Sequence, residues 1–194
     1  MILPIVAYGD PVLKRVADDI PKDFEGLADL IDQMFETMYA AQGVGLAAPQ
    51  IGQSLRLFIA DASPFGDDEE DPEAQKVKDF KGVFINARII ERSGEKWTFA
   101  EGCLSIPNIR EEVEREETIR ISYYDQNWNF HEKEFDGYAA RIIQHEYDHI
   151  EGILFTELLK PLKKRMLKRK LEEITRGEIE VKYRMRFPVQ KVRK

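Results

Sequence analysis

The chain has 194 residues, a formal charge of −7, 43% hydrophobic and 34% charged residues, the balance of a single soluble domain large enough for a proper core. No apolar run approaches a membrane span, the first ten residues lack the basic start and cleavage site of a secretory leader, and the lone cysteine excludes a disulfide framework, so a reduced, cytoplasmic setting is expected, with no membrane and no DNA partner. The charge is lopsided: residues 160–194 hold fourteen Lys/Arg against four Glu, a local +10 that leaves −17 on residues 1–159, which suits either a polyanionic partner for the tail or a solvated helix face.

Residues 2–20 read as extended and irregular, with Pro4, Pro11 and Pro21 as breakers. Phe24, Leu27, Leu30, Ile31, Met34, Phe35 and Met38 then mark an amphipathic helix over 24–41, with Asp23 as its N-cap. Next comes Gly43-Val-Gly-Leu-Ala-Ala-Pro-Gln50, whose small residues allow close approach of backbone to a ligand and whose Gln50 can donate to a carbonyl oxygen. It lacks the third glycine of a dinucleotide loop.

Leu55–Asp61 reads as a strand, and 62–81 as an acidic surface insertion whose carboxylates are solvated. Strands follow at about 82–92, 95–101, 113–125 and 127–135. Cys103 falls just after the strand containing Trp97 and Phe99, and Pro107 ends that segment. A helix runs from an Asp136 N-cap to a left-handed Gly152, with Ala139, Ile142, Ile143, Tyr147 and Ile150 at its apolar positions. A further helix starts with Pro161 and stops at Gly177, with Leu159, Leu162, Met166 and Ile174 facing inward. Residues 178–187 alternate like a half-buried strand, and the remainder to Lys194 should fray.

Chemistry concentrates in Gln144-His-Glu-Tyr-Asp-His149. Histidines four apart lie one turn apart on a helix face and can reach one ion, while Glu146, about 100° round from His145, can overlook water there. Two imidazoles beside a carboxylate are the groups of metal-assisted hydrolysis. The third ligand is not fixed by spacing. The extended metalloprotease pattern wants a histidine where Phe155 stands, and His131 falls on an exposed strand position. Glu172, Glu173 and Cys103 remain as candidates.

Gly43–Gln50, Glu101-Gly-Cys-Leu-Ser105 and Gln144–His149 together resemble the three ordered motifs of the peptide deformylase family, and the resemblance spans roughly residues 2–176. It implies removal of the N-formyl group from the N-terminal methionine of nascent proteins. It implies one divalent metal ion per chain, held by Cys103, His145 and His149, with Fe(II) the usual native metal and Zn, Ni or Co able to replace it. Glu146 would be the general base and then the acid. The Gln50 side chain and the Leu104 backbone N–H would form the oxyanion hole, and Gly43, Val44, Gly45 and Ile142 would bind the substrate. Tyr138 and Arg141, on the pocket side of the helix, are bulkier or more polar than a plain methionine pocket suggests.

The fold expected is α+β: mostly antiparallel sheets around a central metal-binding helix, with an N-terminal helix and a basic C-terminal helix packed outside, all in one catalytic domain over 1–194. The basic segment 160–194 would then be a ribosome-docking element. Two rivals are an H-E-x-x-H zinc endopeptidase with a distant glutamate ligand, and a non-enzymatic RNA-binding protein driven by the basic tail. Neither uses the Gly43–Gln50 loop.

Overall fold

In the computed structural model, which describes residues 1–68 and 70–188, the first helix, α1, runs over Leu27–Ala40. Leu27, Leu30, Ile31, Met34 and Met38 recur at three- and four-residue intervals and are all buried, which gives the helix one apolar stripe. It starts later than the apolar spacing suggests. The chain enters through Gly26, in the left-handed region at φ 77° and without a side-chain cap, so Asp23 does not cap it.

Five strands form one antiparallel sheet in the order β2 (Gly45–Ala47), β3 (Leu57–Asp61), β4 (Lys81–Cys103), β5 (Ile106–Tyr124) and β6 (Phe130–Phe135). The segments expected at 82–92 and 95–101 are one strand: register shifts between Ile89 and Glu91 and between Ser93 and Lys96 bend β4 without ending it. Pro107 does not end the segment either. It is buried in β5, directly after the turn that pairs Cys103 with Ile106, a strand-start position where a missing N–H is tolerated.

Strand β3 reads Leu-Phe-Ile-Ala-Asp without polar alternation because both of its faces are covered. Phe58 and Ala60 join Ala139, Ala140 and Ile143 of α3 (Gly137–Ile150) in one apolar cluster, while Leu57 and Ile59 join Leu30 and Met34 of α1 in another. Phe58 stacks on Phe84 with centroids 4.7 Å apart, and fully burying such a ring is worth about 1.5–3 kcal/mol. A third cluster holds Cys103, Ile106, Leu154 and Phe155 under α4 (Pro161–Thr175).

Several boundaries differ from expectation for identifiable reasons. Asp136 stands at the N-cap of α3, but its side chain makes no capping bond. Gly152 does turn at φ 72°, and a Cβ there would come within 2.8 Å of the Lys14 backbone. The acidic insertion is docked rather than freely solvated. It forms a 3-10 turn and a short helix, α2 (Pro72–Gln75), buries Ala74 and Val77, and stacks Phe65 on Tyr138 at 5.3 Å. Tyr138 OH also donates to Asp71 at 2.7 Å.

On α4 the inward residues are Leu167, Leu171 and Ile174, whereas Leu162 and Met166 are 71% and 64% exposed. Residues 178–187 alternate between half-buried and exposed, but only β7 (Met185–Arg186) makes a ladder, parallel to β1 (Ile5–Val6). Residues 189–194, where fraying was expected, lie outside the described residues. Among the described residues no helix is long and apolar enough to cross a membrane.

Candidate metal centre

Strand β4 delivers Cys103 at its last position, and α3 lies across the sheet carrying His145 and His149 one turn apart. Cys103 Sγ is 3.3 Å from His149 Nε2, and the candidate ligand atoms of Cys103, His145 and His149 all lie within 4.8 Å of one another. Tetrahedral ligands of one small cation stand about 3.3–3.8 Å apart, so the trio fits an ion with small shifts. The other candidates for third ligand are elsewhere. His131, on β6, sits 2.9 Å from Asp125 Oδ2, and Glu173, on α4, accepts from Arg169 at 3.0 Å. Glu172 is exposed on α4. Neither the acidic insertion nor α4 contributes to this group of three.

The chemistry of the donors suits a cation. Burial pushes the His149 pKa well below its ordinary value, with His145 and Arg115 adding to it, so the ring is neutral and offers a lone pair. Burial also disfavours a proton on His145, yet Cys103, Glu101 and Glu146 around it raise its pKa well above normal. This is the electrostatic pull that a cation would satisfy.

His145 is aimed by its neighbours. Its Nδ1 lies 2.8 Å from Glu101 Oε2, a carboxylate oxygen that accepts, so Nδ1 carries a proton and Nε2 is the nitrogen left to meet a cation. Glu101 in turn receives Arg115 Nε at 2.7 Å and Arg141 Nη1 at 3.0 Å, and Arg115 Nη1 reaches Asp148 Oδ2 at 2.7 Å. Burial opposes ionisation of Glu101, but His145 and Arg115 hold its carboxyl well below the usual carboxylate range. Glu101 and Asp148 belong to the motifs quoted from sequence, yet their roles were missed there; Arg115 gave no signal at all. Arg141, read as a pocket residue, spends its guanidinium on Glu101, Val113 C=O and Trp97 C=O.

Glu146 is 4% exposed, and its Oε2 has no partner among the described residues. Burial pushes its pKa up to about 7, with Glu101 and Asp148 adding and His145 and Arg115 opposing. Gly45 makes room for it: a Cβ at position 45 would come within 2.3 Å of Glu146 Oε1. Gly43 gives the same kind of clearance to Leu104, whose Cδ1 would lie 2.7 Å from a Cβ there, and its N–H closes α1 on Met38 C=O at 2.9 Å.

Gln50 is fixed in direction. Its Oε1 accepts the Ala47 N–H at 2.9 Å, so its Nε2 points to Cys103 Sγ at 3.4 Å and Ser105 Oγ at 3.3 Å. Val44, Gln50, Leu104, Ile142 and Glu146 line a cleft of about 1550 Å³, more than one formylmethionyl group fills.

A thiol and two imidazoles around one gap, a buried carboxyl beside them and an oriented amide opposite are the parts of a metal-dependent hydrolase. The sequence matches the family model Polypeptide deformylase over residues 2–165. The chain belongs to this family, metalloenzymes that remove the N-formyl group from nascent peptides. It is 59% identical over 190 residues to a peptide deformylase of Christiangramia forsetii, covering 97% of each chain. Among solved structures it is similar to the peptide deformylase of Thermus thermophilus (TM-score 0.77, 41% identity, 90% of this chain and 98% of that one). The Legionella pneumophila enzyme gives a TM-score of 0.76 at 37% identity, covering 92% and 98%.

Proposed function

We propose that this chain deformylates N-formylmethionyl peptides through one divalent cation held by Cys103, His145 and His149, with α3 as the metal-binding helix at the centre of a single catalytic domain. The observation that carries this reading is the convergence of one thiol and two imidazoles from β4 and α3, with an unpartnered Glu146 carboxyl oxygen beside them.

A divalent cation held by Cys103, His145 and His149 would supply Lewis acidity, lowering the pKa of water toward neutral. Glu146 Oε2 accepts a proton from that water as the water oxygen adds to the formyl carbon. Negative charge then gathers on the formyl oxygen, where Gln50 Nε2 and the Leu104 N–H donate to it. As the C–N bond breaks, Glu146 returns the proton to the departing amine, and formate is left. Val44 and Ile142 form the wall for the methionine side chain. Gly43 and Gly45 keep the edge of β2 open for the peptide backbone to pair as an added strand.

Thiolate and imidazole donors suit Fe(II) as the native metal, with Zn, Ni or Co able to take its place. The basic face of α4 is a candidate contact with ribosomal RNA in the cytoplasm, and loss of cosedimentation with ribosomes after deletion of 160–194 is its test. The endopeptidase reading has no support from Glu172 or Glu173, which lie outside the ligand group. The decisive experiment is formate release from formyl-Met-Ala-Ser by anaerobically purified protein, with metal analysis on the same sample. No formate from metal-loaded protein refutes the reading.

A further inference from the structure

The stretch after α4 supplies none of the groups named for the reaction, yet Ile179, Val181 and Tyr183 line the same cleft. It is anchored at both ends. Asn108 Nδ2 donates to Glu180 C=O at 3.1 Å, while Ile5 N–H reaches Arg184 C=O and Ala7 N–H reaches Arg186 C=O, each at 2.9 Å. Gly177 turns the chain at φ 66° against the Phe187 ring.

Between these anchors, the Tyr183 hydroxyl donates to the Leu104 carbonyl at 2.7 Å. The next carbonyl, that of Ser105, accepts the Tyr8 N–H at 2.8 Å. The backbone on the C-terminal side of Leu104 is thereby held by two bonds from elements remote in sequence. The Leu104 carbonyl shares its peptide plane with the Ser105 N–H, and the Leu104 N–H lies in the preceding plane, so holding the carbonyl acts on that N–H by narrowing the φ and ψ range left to Leu104.

We propose that Tyr183 is a positioning residue: by holding the Leu104 carbonyl it aims the Leu104 N–H at the developing oxyanion, so the returning C-terminal stretch completes the oxyanion site. The inference rests on Leu104 N–H being an oxyanion donor. A tyrosine hydroxyl that only satisfies itself during packing would affect stability and leave the split between kcat and KM untouched. Preorganised donors act because they need no reorganisation during reaction, and a misplacement of about 1 Å can cost about 10²-fold in rate. Loss of one hydroxyl with the ring retained should cost about tenfold.

The test is Tyr183→Phe in the full-length, zinc-loaded protein, assayed on formyl-Met-Ala-Ser and followed by amide hydrogen exchange at Leu104 without substrate. The expected result is a kcat about tenfold lower, KM within about twofold, and several-fold faster exchange of the Leu104 amide. A kcat within about twofold of wild type, a raised KM at constant kcat, or a lowered kcat with unchanged Leu104 exchange each overturns it. Wild-type protein that releases no formate refutes the deformylase reading instead, and the exchange comparison then still decides whether Tyr183 governs Leu104.

Discussion

Glu101 Oε2 lies 2.8 Å from His145 Nδ1 while the same carboxylate takes Arg115 Nε and Nη2 at 2.7 and 3.0 Å. One carboxylate therefore sets the tautomer of a proposed ligand imidazole and neutralises a buried guanidinium at once. Glu101→Gln weakens both. Affinity for a divalent cation should fall about 10–100-fold, and removing one partner of a buried ion pair should cost about 3–5 kcal/mol of stability. Zinc titration against a competing chelator and urea midpoints at neutral pH measure the two effects. Unchanged zinc affinity would falsify the orienting role.

Cys103 is the one proposed ligand that α3 does not carry. Cys103→Ala should leave a folded chain that retains almost no metal after gel filtration, because two imidazoles alone make a weak site. Retention of stoichiometric metal would move the third ligand elsewhere and revive a glutamate-ligand protease.

Gly45 is fixed by the sheet, paired with Ala60 of β3. A methyl group there would meet Glu146 Oε1 at 2.3 Å and Cδ at 2.6 Å, and the carboxyl has to swing aside. Gly45→Ala should lower kcat by about 10²-fold with metal content and circular dichroism preserved. Wild-type turnover in a folded Gly45→Ala protein contradicts this account of the loop.

Asp125 tests the fold away from the site. Its carboxylate accepts Asn127 N–H and Asn129 N–H at 2.9 and 3.0 Å and pairs with His131 at 2.9 Å. His131 above all, with Asn129 and the backbone amides, holds its pKa well below the ordinary 3.8 although burial opposes them. A depressed folded pKa gives stability that is present above about pH 4 and is lost as the pH falls through the folded value. Asp125→Asn should cost about 1–2 kcal/mol at pH 7, and the deficit should shrink steadily in acid. Equal deficits at pH 3 and pH 7 would contradict it.

Helix α3 was legible because His145, Glu146 and His149 and its apolar residues obey one helical period. Cys103 was less so: its distance from α3 is set by the sheet, and only the motif resemblance singled it out from Glu172 and Glu173. The long β4 read as two strands because its bulges mimic breaks in alternation. On α4, Leu162 and Met166 compete with Leu167, Leu171 and Ile174 for the inward face, and packing against β5 rather than spacing decides between them. The charged pairs behind the site, Glu101 with Arg115 and Arg115 with Asp148, link residues too far apart in the chain for local pattern to pair them.

The parallel pairing of Ile5 with Met185 and Val6 with Arg186 ties the order of translation to the shape of the cleft. Residues near position 5 are synthesised long before those near 185, and a single domain folds as a unit. Strand β1 must therefore wait for its partner, and the wall that carries Tyr183 is among the last parts of the molecule to form.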